Sequence, residues 1–240
     1  MAERLFSYKM THDTGFAPNP WWNYLTLATC KPKIREVKQP GDWIAGFTSM
    51  ALCGERVGRE RLVFVMRVAE KVSIADYFGD DRFRQKIPRS GSRDRRLLLG
   101  DNIYKPLKQH PRSDGDFLQV DDLCHNADNR HDDLSGKYVL VATEFAYFGS
   151  EAIKVPDAVR PDIPSGQSAH GSRTHDEGRL LNFIAYVRQQ TGLDGCVLGA
   201  PHSWPVGDGG RERSPGKCAA PKMEPRPLRV SDVASPKPRC

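Results

Sequence analysis

Residues 8–47 read Y-K-M-T-H-D-T-G-F-A-P-N-P-W-W-N-Y-L-T-L-A-T-C-K-P-K-I-R-E-V-K-Q-P-G-D-W-I-A-G-F. The stretch sets the β-rich character of the chain. Upstream, Arg4–Met10 is a first strand, with Leu5, Phe6, Tyr8 and Met10 as β-prone bulk. Asp13–Pro20 cannot be helical, because Gly15 permits positive φ and Pro18 and Pro20 hold Ala17 and Asn19 extended. Tyr24–Thr29 alternates bulky and small residues and reads as a second strand. Pro32 pushes Lys31 out of helical geometry, so Lys31–Arg35 is expected to be extended. Pro40-Gly41 marks a turn, and Asp42–Phe47 is a third strand.

Beyond it, Ser49–Arg59 is expected as loop, and L-V-F-V-M-R-V makes Arg61–Glu70 the clearest strand in the chain. Ser73-x-x-Asp76 starts a short helix with Ile74, Tyr77 and Phe78 on one face. Lys105–Ser135 has no sustained period, and Lys137–Tyr147 is one long strand. Asp157–Arg173 is rich in Pro, Ser and Gly and reads as a linker or loop. Thr174-x-x-Glu177 is a capping-box signature for a helix over Asp176–Thr191, with Leu180, Leu181, Ile184 and Val187 at helical spacing and Gly192 as its C-terminal cap. Pro201–Cys240 holds eight prolines and few apolar residues; its burial cannot offset the entropy of ordering, so a disordered tail is expected. Strands with one short and one long helix, not in alternation, give an α+β fold around a small mixed sheet or barrel.

The net charge is +6, of which the segment from Pro205 onward carries +4. The remainder is therefore not strongly basic, and a nucleic-acid argument must rest on local clusters. No apolar run approaches the roughly 20 residues needed to span a bilayer. The N-terminus M-A-E-R-L-F-S-Y has no apolar core of a signal peptide. Six cysteines without a C-x-x-C pair suit reduced thiols in a cytoplasm and argue against a zinc ribbon. Walker, G-x-G-x-x-G, H-E-x-x-H and G-x-S-x-G patterns are absent, so no nucleoside triphosphatase, zinc protease or serine hydrolase is indicated.

Seven runs occur in order: D-T-G-F-A-P-N-P, T-L-A-T-C-K-P-K-I-R, G-D-W-I-A-G-F, L-V-F-V-M-R-V-A-E-K, Y-F-G-D-D-R-F-R-Q-K, G-D-N-I-Y and F-A-Y-F-G. As an ordered set they resemble the family called nucleotide modification associated domain two, over most of Leu5–Pro156. The resemblance implies a context, the DNA base-modification systems of phages and mobile elements, and no particular reaction. The strand pattern also resembles PUA-like barrels, some of which read modified bases. The expected organisation is the associated domain at 1–156, a linker at 157–173, a helix and extension packing on the domain at 174–200, and the tail at 201–240.

Several clusters could carry chemistry. Phe16, Trp21, Trp22, Tyr24 and Trp43 could line a slot for a base, with Asn19 and Asn23 reading its edge; equally, such rings plug a core. Lys31, Lys33 and Arg35 would share one face of an extended segment and hold phosphate. Cys30 beside Lys31 is either a nucleophile or a small buried hydrophobe. Arg82, Arg84, Lys86 and Arg89 form a basic run suited to a nucleic-acid backbone, or a solvated surface. Asp101, Asn102 and Tyr104 could border a pocket, the acid accepting from a hydroxyl or amine, or could simply satisfy a turn. Cys124-His125, near Asp121, Asp122, Asp128, His131, Asp132 and Asp133, has metal-ligand types without a standard metal spacing; His125 alone could serve as a base. Neither a metal nor a cofactor is expected.

The first reading is a domain that recognises a nucleotide or a modified base, binding through Phe16, Asn19, Trp21, Trp22, Lys31, Lys33, Arg35, Asn102 and Tyr104. The second is an enzyme altering a nucleotide or base, with Asp13, Asp101 or His125 as acid or base. The third is an accessory protein acting through contacts with modification-system proteins. The expected partner is a nucleotide or nucleic acid, DNA before RNA, with no membrane.

Overall fold

The computed structural model describes residues 3–120, 122, 124–166, 168 and 170–204. Of the tail expected at 201–240, residues 205–240 lie outside the described residues.

Among the described residues, eleven strands and six α-helices form an α+β fold. A six-stranded mixed sheet runs β10 (Ser172–Thr174), β1 (Leu5–Lys9), β3 (Trp43–Phe47), β4 (Leu62–Arg67), β9 (Glu144–Tyr147), β11 (Cys196–Val197). β1 and β3 are parallel, as are β9 and β11; the other pairs are antiparallel. The sheet is open, with β10 and β11 at its edges. A three-stranded sheet, β2 (Leu25–Leu27), β8 (Tyr138–Ala142), β5 (Glu70–Ser73), packs over it.

Helix α6 (Glu177–Thr191) covers one face of the large sheet: Leu180, Phe183, Ile184 and Val187 meet Leu5, Trp43, Phe47 and Val65. Leu181 is exposed and Phe183 takes its expected place. The N-cap is Asp176, whose side chain accepts from the Arg179 N–H at 2.9 Å. Thr174 ends β10 instead, and its hydroxyl accepts from the Asp162 N–H at 3.0 Å. Gly192 closes the helix in the left-handed region, as expected.

On the other face, Tyr8, Ile44, Phe64, Met66, Phe145 and Tyr147 pack against Leu25, Leu27, Leu140 and Ala142 of the small sheet. Tyr8, Gly46, Phe64 and Tyr147 sit in register across four strands. A Cβ on Gly46 would lie 2.2 Å from Phe64 Cε1, so only glycine lets the Phe64 ring lie there. Tyr8 and Tyr147 thereby mark the two ends of one row on the inner face. A third cluster, on the far side of the small sheet, joins Val139 and Val141 to Phe16, Tyr77, Phe83, Ile103 and Tyr104.

Two expectations about local structure change. The single strand expected over Lys137–Tyr147 breaks at Thr143: β8 belongs to the small sheet and β9 to the large one. A run apolar on both faces can serve two sheets when it bends between them. Lys31–Arg35 is not extended, because Pro32 opens helix α1 (Pro32–Val37). Proline suits that first helical position, where its missing N–H has no partner to lose. Helix α2 (Met50–Cys53) also interrupts the expected loop, capped by Ser49, whose hydroxyl accepts from the Leu52 N–H. The short helix after Ser73 is present as α3 (Ile74–Gly79) with Ser73 as its cap. No described helix is long and apolar enough to cross a membrane.

Candidate active site

Between β2 and α1 the chain turns sharply. Cys30 (φ 54°) and Lys31 (φ 41°) both occupy the left-handed region, each strained for a side-chain-bearing residue. Pro32 bars Lys31 from the right-handed helical region, which accounts for part of that conformation. A tight strand-to-helix turn is the setting in which a nucleophile projects clear of its neighbours.

Buried groups hold the turn in place. The Cys30 N–H donates to Asp133 Oδ1 at 2.7 Å, and the Cys30 carbonyl accepts from Arg35 Nε at 2.8 Å. Arg35 is fully buried; its other nitrogens donate to the Tyr138 carbonyl at 2.9 Å and to the Asp133 carbonyl. The guanidinium thus binds α1, α5 (Arg130–Ser135) and the start of β8 into one support.

His125 lies over that support, on the loop after β7 (Phe117–Gln119). Asp122 shapes the loop by accepting from the N–H groups of Cys124 and His125 at 2.8 and 2.7 Å. His125 Nε2 is 3.3 Å from Cys30 Sγ, and Nδ1 is 2.5 Å from Asp133 Oδ2. Tyr104 donates to the same Oδ2 at 2.9 Å. Phe16 packs edge-on against the imidazole at 4.8 Å between ring centres. Burial pulls the His125 pKa down, but its bonds to Asp133 and Cys30 outweigh that and lift it to about 10. Burial also pushes the neighbouring Cys124 thiol up to about 12. Of the two thiols at this loop, Cys30 is the one facing the imidazole.

The result is a Cys–His–Asp relay. Asp133 fixes the ring orientation through Nδ1, and Nε2 is the nitrogen left facing the thiol. The same three residues bring one ligand atom each within 4.8 Å of one another, a set soft enough for zinc. As bonded here, however, Nδ1 and Oδ2 hold each other while Nε2 faces sulfur, which is an arrangement for proton transfer.

Residues 2–208 match the family described as nucleotide modification associated domain 2. The chain belongs to that family. Nothing among curated proteins or solved structures matches it.

In this family member the residues singled out from sequence separate into four places. His125, Cys30, Phe16, Tyr104 and Arg35 converge on the relay, although Phe16, Tyr104 and Arg35 are buried and engaged with protein groups. Lys31, Lys33 and Arg35 do not form a phosphate-facing row, because the segment is helical. Lys33 is exposed and pairs with Glu36 at 2.8 Å, while the Lys31 ammonium lies 5.1 Å above the Tyr8 ring.

A second network is fully buried. Asp101 accepts from Thr26 Oγ1 at 2.6 Å and from Tyr77 Oη at 2.7 Å, and burial raises its pKa. Lys86 donates to Asn19 Oδ1 at 2.6 Å and to the carbonyls of Asn19 and Tyr24, both at 3.0 Å. Burial draws this ammonium down to about 8. Asn102 donates to the carbonyl of Tyr77. Asp101, Asn102, Asn19 and Lys86 therefore brace the fold, and Lys86 is no surface contact for a phosphate.

The remaining basic residues stay outside. Arg82 pairs with Glu70 and Asp80, Arg84 with Asp81, and Arg89 is exposed. The fourth place holds Asp13, which accepts from Tyr147 Oη at 2.6 Å and faces His202 Nδ1 at 2.7 Å. Trp21 stacks on Trp204 at 5.8 Å, and Trp22 sits under Arg96. Trp22 itself is in the left-handed region, so the two tryptophans do not share an extended segment.

His202 is a site residue that the sequence did not single out, and Asp133 stood there only as one of several acids near His125. Nothing local separates Asp133 from Asp132, and His202 fell in the presumptive tail. A cavity of about 500 Å³ between α3, the 109–114 loop and α5 is lined by none of the relay residues. Among the described residues Cys30, Cys53 and Cys124 are free thiols.

Proposed function

We propose that this chain is a thiol-nucleophile enzyme of nucleotide modification, with Cys30 attacking an electrophilic, acyl-type carbon of a nucleotide-linked substrate. The observation that carries the reading is the relay Cys30 Sγ, His125 Nε2, His125 Nδ1, Asp133 Oδ2, with separations of 3.3 and 2.5 Å across the ring. In the first half-reaction the Cys30 sulfur bonds to the carbonyl carbon with its proton already on His125 Nε2, the state that the raised imidazole pKa favours at neutral pH. The carbonyl electron pair shifts to oxygen, then returns as the bond to the leaving group breaks; Nε2 gives that group its proton. In the second half, water or an amine loses a proton to Nε2 as it bonds to the carbon, and the carbon–sulfur bond breaks to release Cys30. Asp133 keeps the ring aimed through its bond to Nδ1.

A module that only binds a base finds less support. Phe16, Asn19, Asn102 and Tyr104 are all buried, so none of them offers a free edge or face. Trp21, Trp22 and Lys31 remain as candidate contacts.

The test is native alkylation with iodoacetamide at neutral pH, read by intact mass. One rapid adduct at Cys30 is expected, absent in Cys30→Ser and slowed at least about a hundredfold in His125→Ala, the scale of general-base assistance. A Cys30 that reacts no faster than glutathione in the same buffer overturns the assignment.

A further inference from the structure

Buried ring nitrogens rarely lack a partner, since leaving a buried hydrogen bond unmade is costly. His202 Nε2 and Trp21 Nε1 are both buried and both unpaired among the described residues. They belong to one locus. The Trp21 ring lies 6.4 Å from that of Tyr147, whose hydroxyl donates to Asp13 at 2.6 Å, and Asp13 holds His202 at 2.7 Å. Trp204, two residues after His202, stacks on Trp21 with its plane inclined by 13°. Gly15 (φ 77°) lets the loop press between them: a Cβ there would lie 2.7 Å from Pro201 Cγ and 3.4 Å from Trp21 Nε1.

The locus adjoins Cys30. Asp13 touches His202, Thr14 Oγ1 lies 3.9 Å from Cys124 Sγ, and Phe16 packs on His125. Three residues of chain reach at most about 10 Å, so the two histidines lie at either end of one short loop. Tyr8, at the far end of the inner row from Tyr147, has its pKa raised by burial and then by both Cys30 and Asp13.

We propose that His202 and Trp21 form the recognition subsite for the substrate of Cys30, and that they bind the hydrogen-bonding edge of a nucleobase. The indole N–H only donates. With Asp13 taking the Nδ1–H, His202 Nε2 is left an acceptor. One rigid, flat edge carrying an acceptor and a donor satisfies both, as the edges of nucleobases do. The choice of a base as ligand rests on the nucleotide-modification reading above; the unpaired nitrogens do not.

The experiment is titration of the full chain with adenosine, cytidine and thymidine, following the Trp21 indole N–H resonance, which Trp21→Phe identifies by its loss. Ribose 5-phosphate is the arm without a base. A saturable shift with at least one nucleoside and none with ribose 5-phosphate is expected. Affinity should fall about tenfold in His202→Phe, read on the same resonance, and in Trp21→Phe, read on the indole N–H of the stacked Trp204, the worth of one hydrogen bond. An equal response to ribose 5-phosphate, or none to any nucleoside at millimolar concentration, overturns the subsite. Alkylation of Cys30 is read separately, so a reactive thiol with no nucleoside binding sinks this inference alone. Nucleoside binding with an unreactive thiol sinks the enzyme reading alone.

Discussion

Asp133 holds Cys30 from two directions. Its Oδ1 accepts the Cys30 backbone N–H at 2.7 Å, and its Oδ2 holds His125, whose far nitrogen is 3.3 Å from the Cys30 sulfur. One carboxylate therefore fixes both the strained turn and the base that serves it. Asp133→Asn puts an amide donor where two acceptor oxygens are needed and favours the wrong imidazole tautomer. Alkylation of Cys30 is expected to slow by about a hundredfold or more, as for loss of an orienting carboxylate elsewhere. A rate within threefold of wild type, a ratio too small for loss of an orienting group, would show that His125 is held by other means.

The pKa of His125 carries a stability consequence. Burial lowers it, but the bonds to Asp133 and Cys30 raise it to about 10, above the unfolded value near 6.5. A group raised on folding contributes stability that is full below about pH 6.5 and is lost as pH rises through about 10. Lys86 and Lys38, both drawn down to about 8 by burial, oppose this trend over the same range. The comparison is therefore between wild type and His125→Gln by urea unfolding. The gap between them should be widest near pH 6.5 and close towards pH 10. A constant gap would mean that the imidazole does not titrate differently in the folded protein.

Arg35 should be a structural weak point beneath the relay. It donates to the carbonyls of Cys30, Tyr138 and Asp133. Arg35→Leu leaves three inward carbonyls without donors and is expected to cost at least about 3 kcal/mol. Gly136→Ala tests the same support from outside, because its Cβ would lie 2.5 Å from the Arg35 Cζ. About 1–3 kcal/mol of destabilisation is expected for such overpacking. A Gly136→Ala chain as stable as wild type would show that the guanidinium moves without cost.

How much of this the sequence carried depends on distance along the chain. The local signals at Ser73 and Gly192 worked, since a cap and its partner lie within one turn. The fold class also followed from local pattern. Pro32 misled because proline excludes helix before it and favours helix after it; the residue type alone does not choose. Cys30 and His125 were each visible as reactive types, but 95 positions separate them, and only the packing of α1 against α5 joins them. The buried Lys86 read as surface charge because its neighbours Arg82 and Arg84 are exposed, and nothing in that run shows the Asn19 carbonyl waiting 67 residues upstream.

Lys86 and Arg84 consequently make a paired test. Lys86→Met removes the donor for Asn19 Oδ1 and two carbonyls, so at least about 2 kcal/mol of stability should be lost. Arg84→Ala, an exposed position paired only at 3.5 Å with Asp81, should stay within about 0.5 kcal/mol of wild type. Equal effects in urea unfolding would contradict this separation of brace from surface.

The segment after β11 gives the last prediction. Pro201 is buried against Gly15, the Ser203 N–H donates to the Asp13 carbonyl at 3.0 Å, His202 faces the Asp13 carboxylate, and Trp204 stacks on Trp21. These four residues fasten the segment after β11 to the loop after β1, the loop that also carries Phe16 against His125. Two truncations isolate them, one ending at Ala200 and one at Trp204. Neither has anything after residue 204, so their difference reports these four residues alone. The shorter chain should unfold at lower denaturant, by about 2–4 kcal/mol, the range for losing a packed aromatic with a buried hydrogen-bonded group. Its Cys30 should also alkylate at a changed rate, because Asp13 and Phe16 share one loop. If the two truncated chains unfold together and react alike, residues 201–204 hold nothing in place, and the recognition subsite loses its framework.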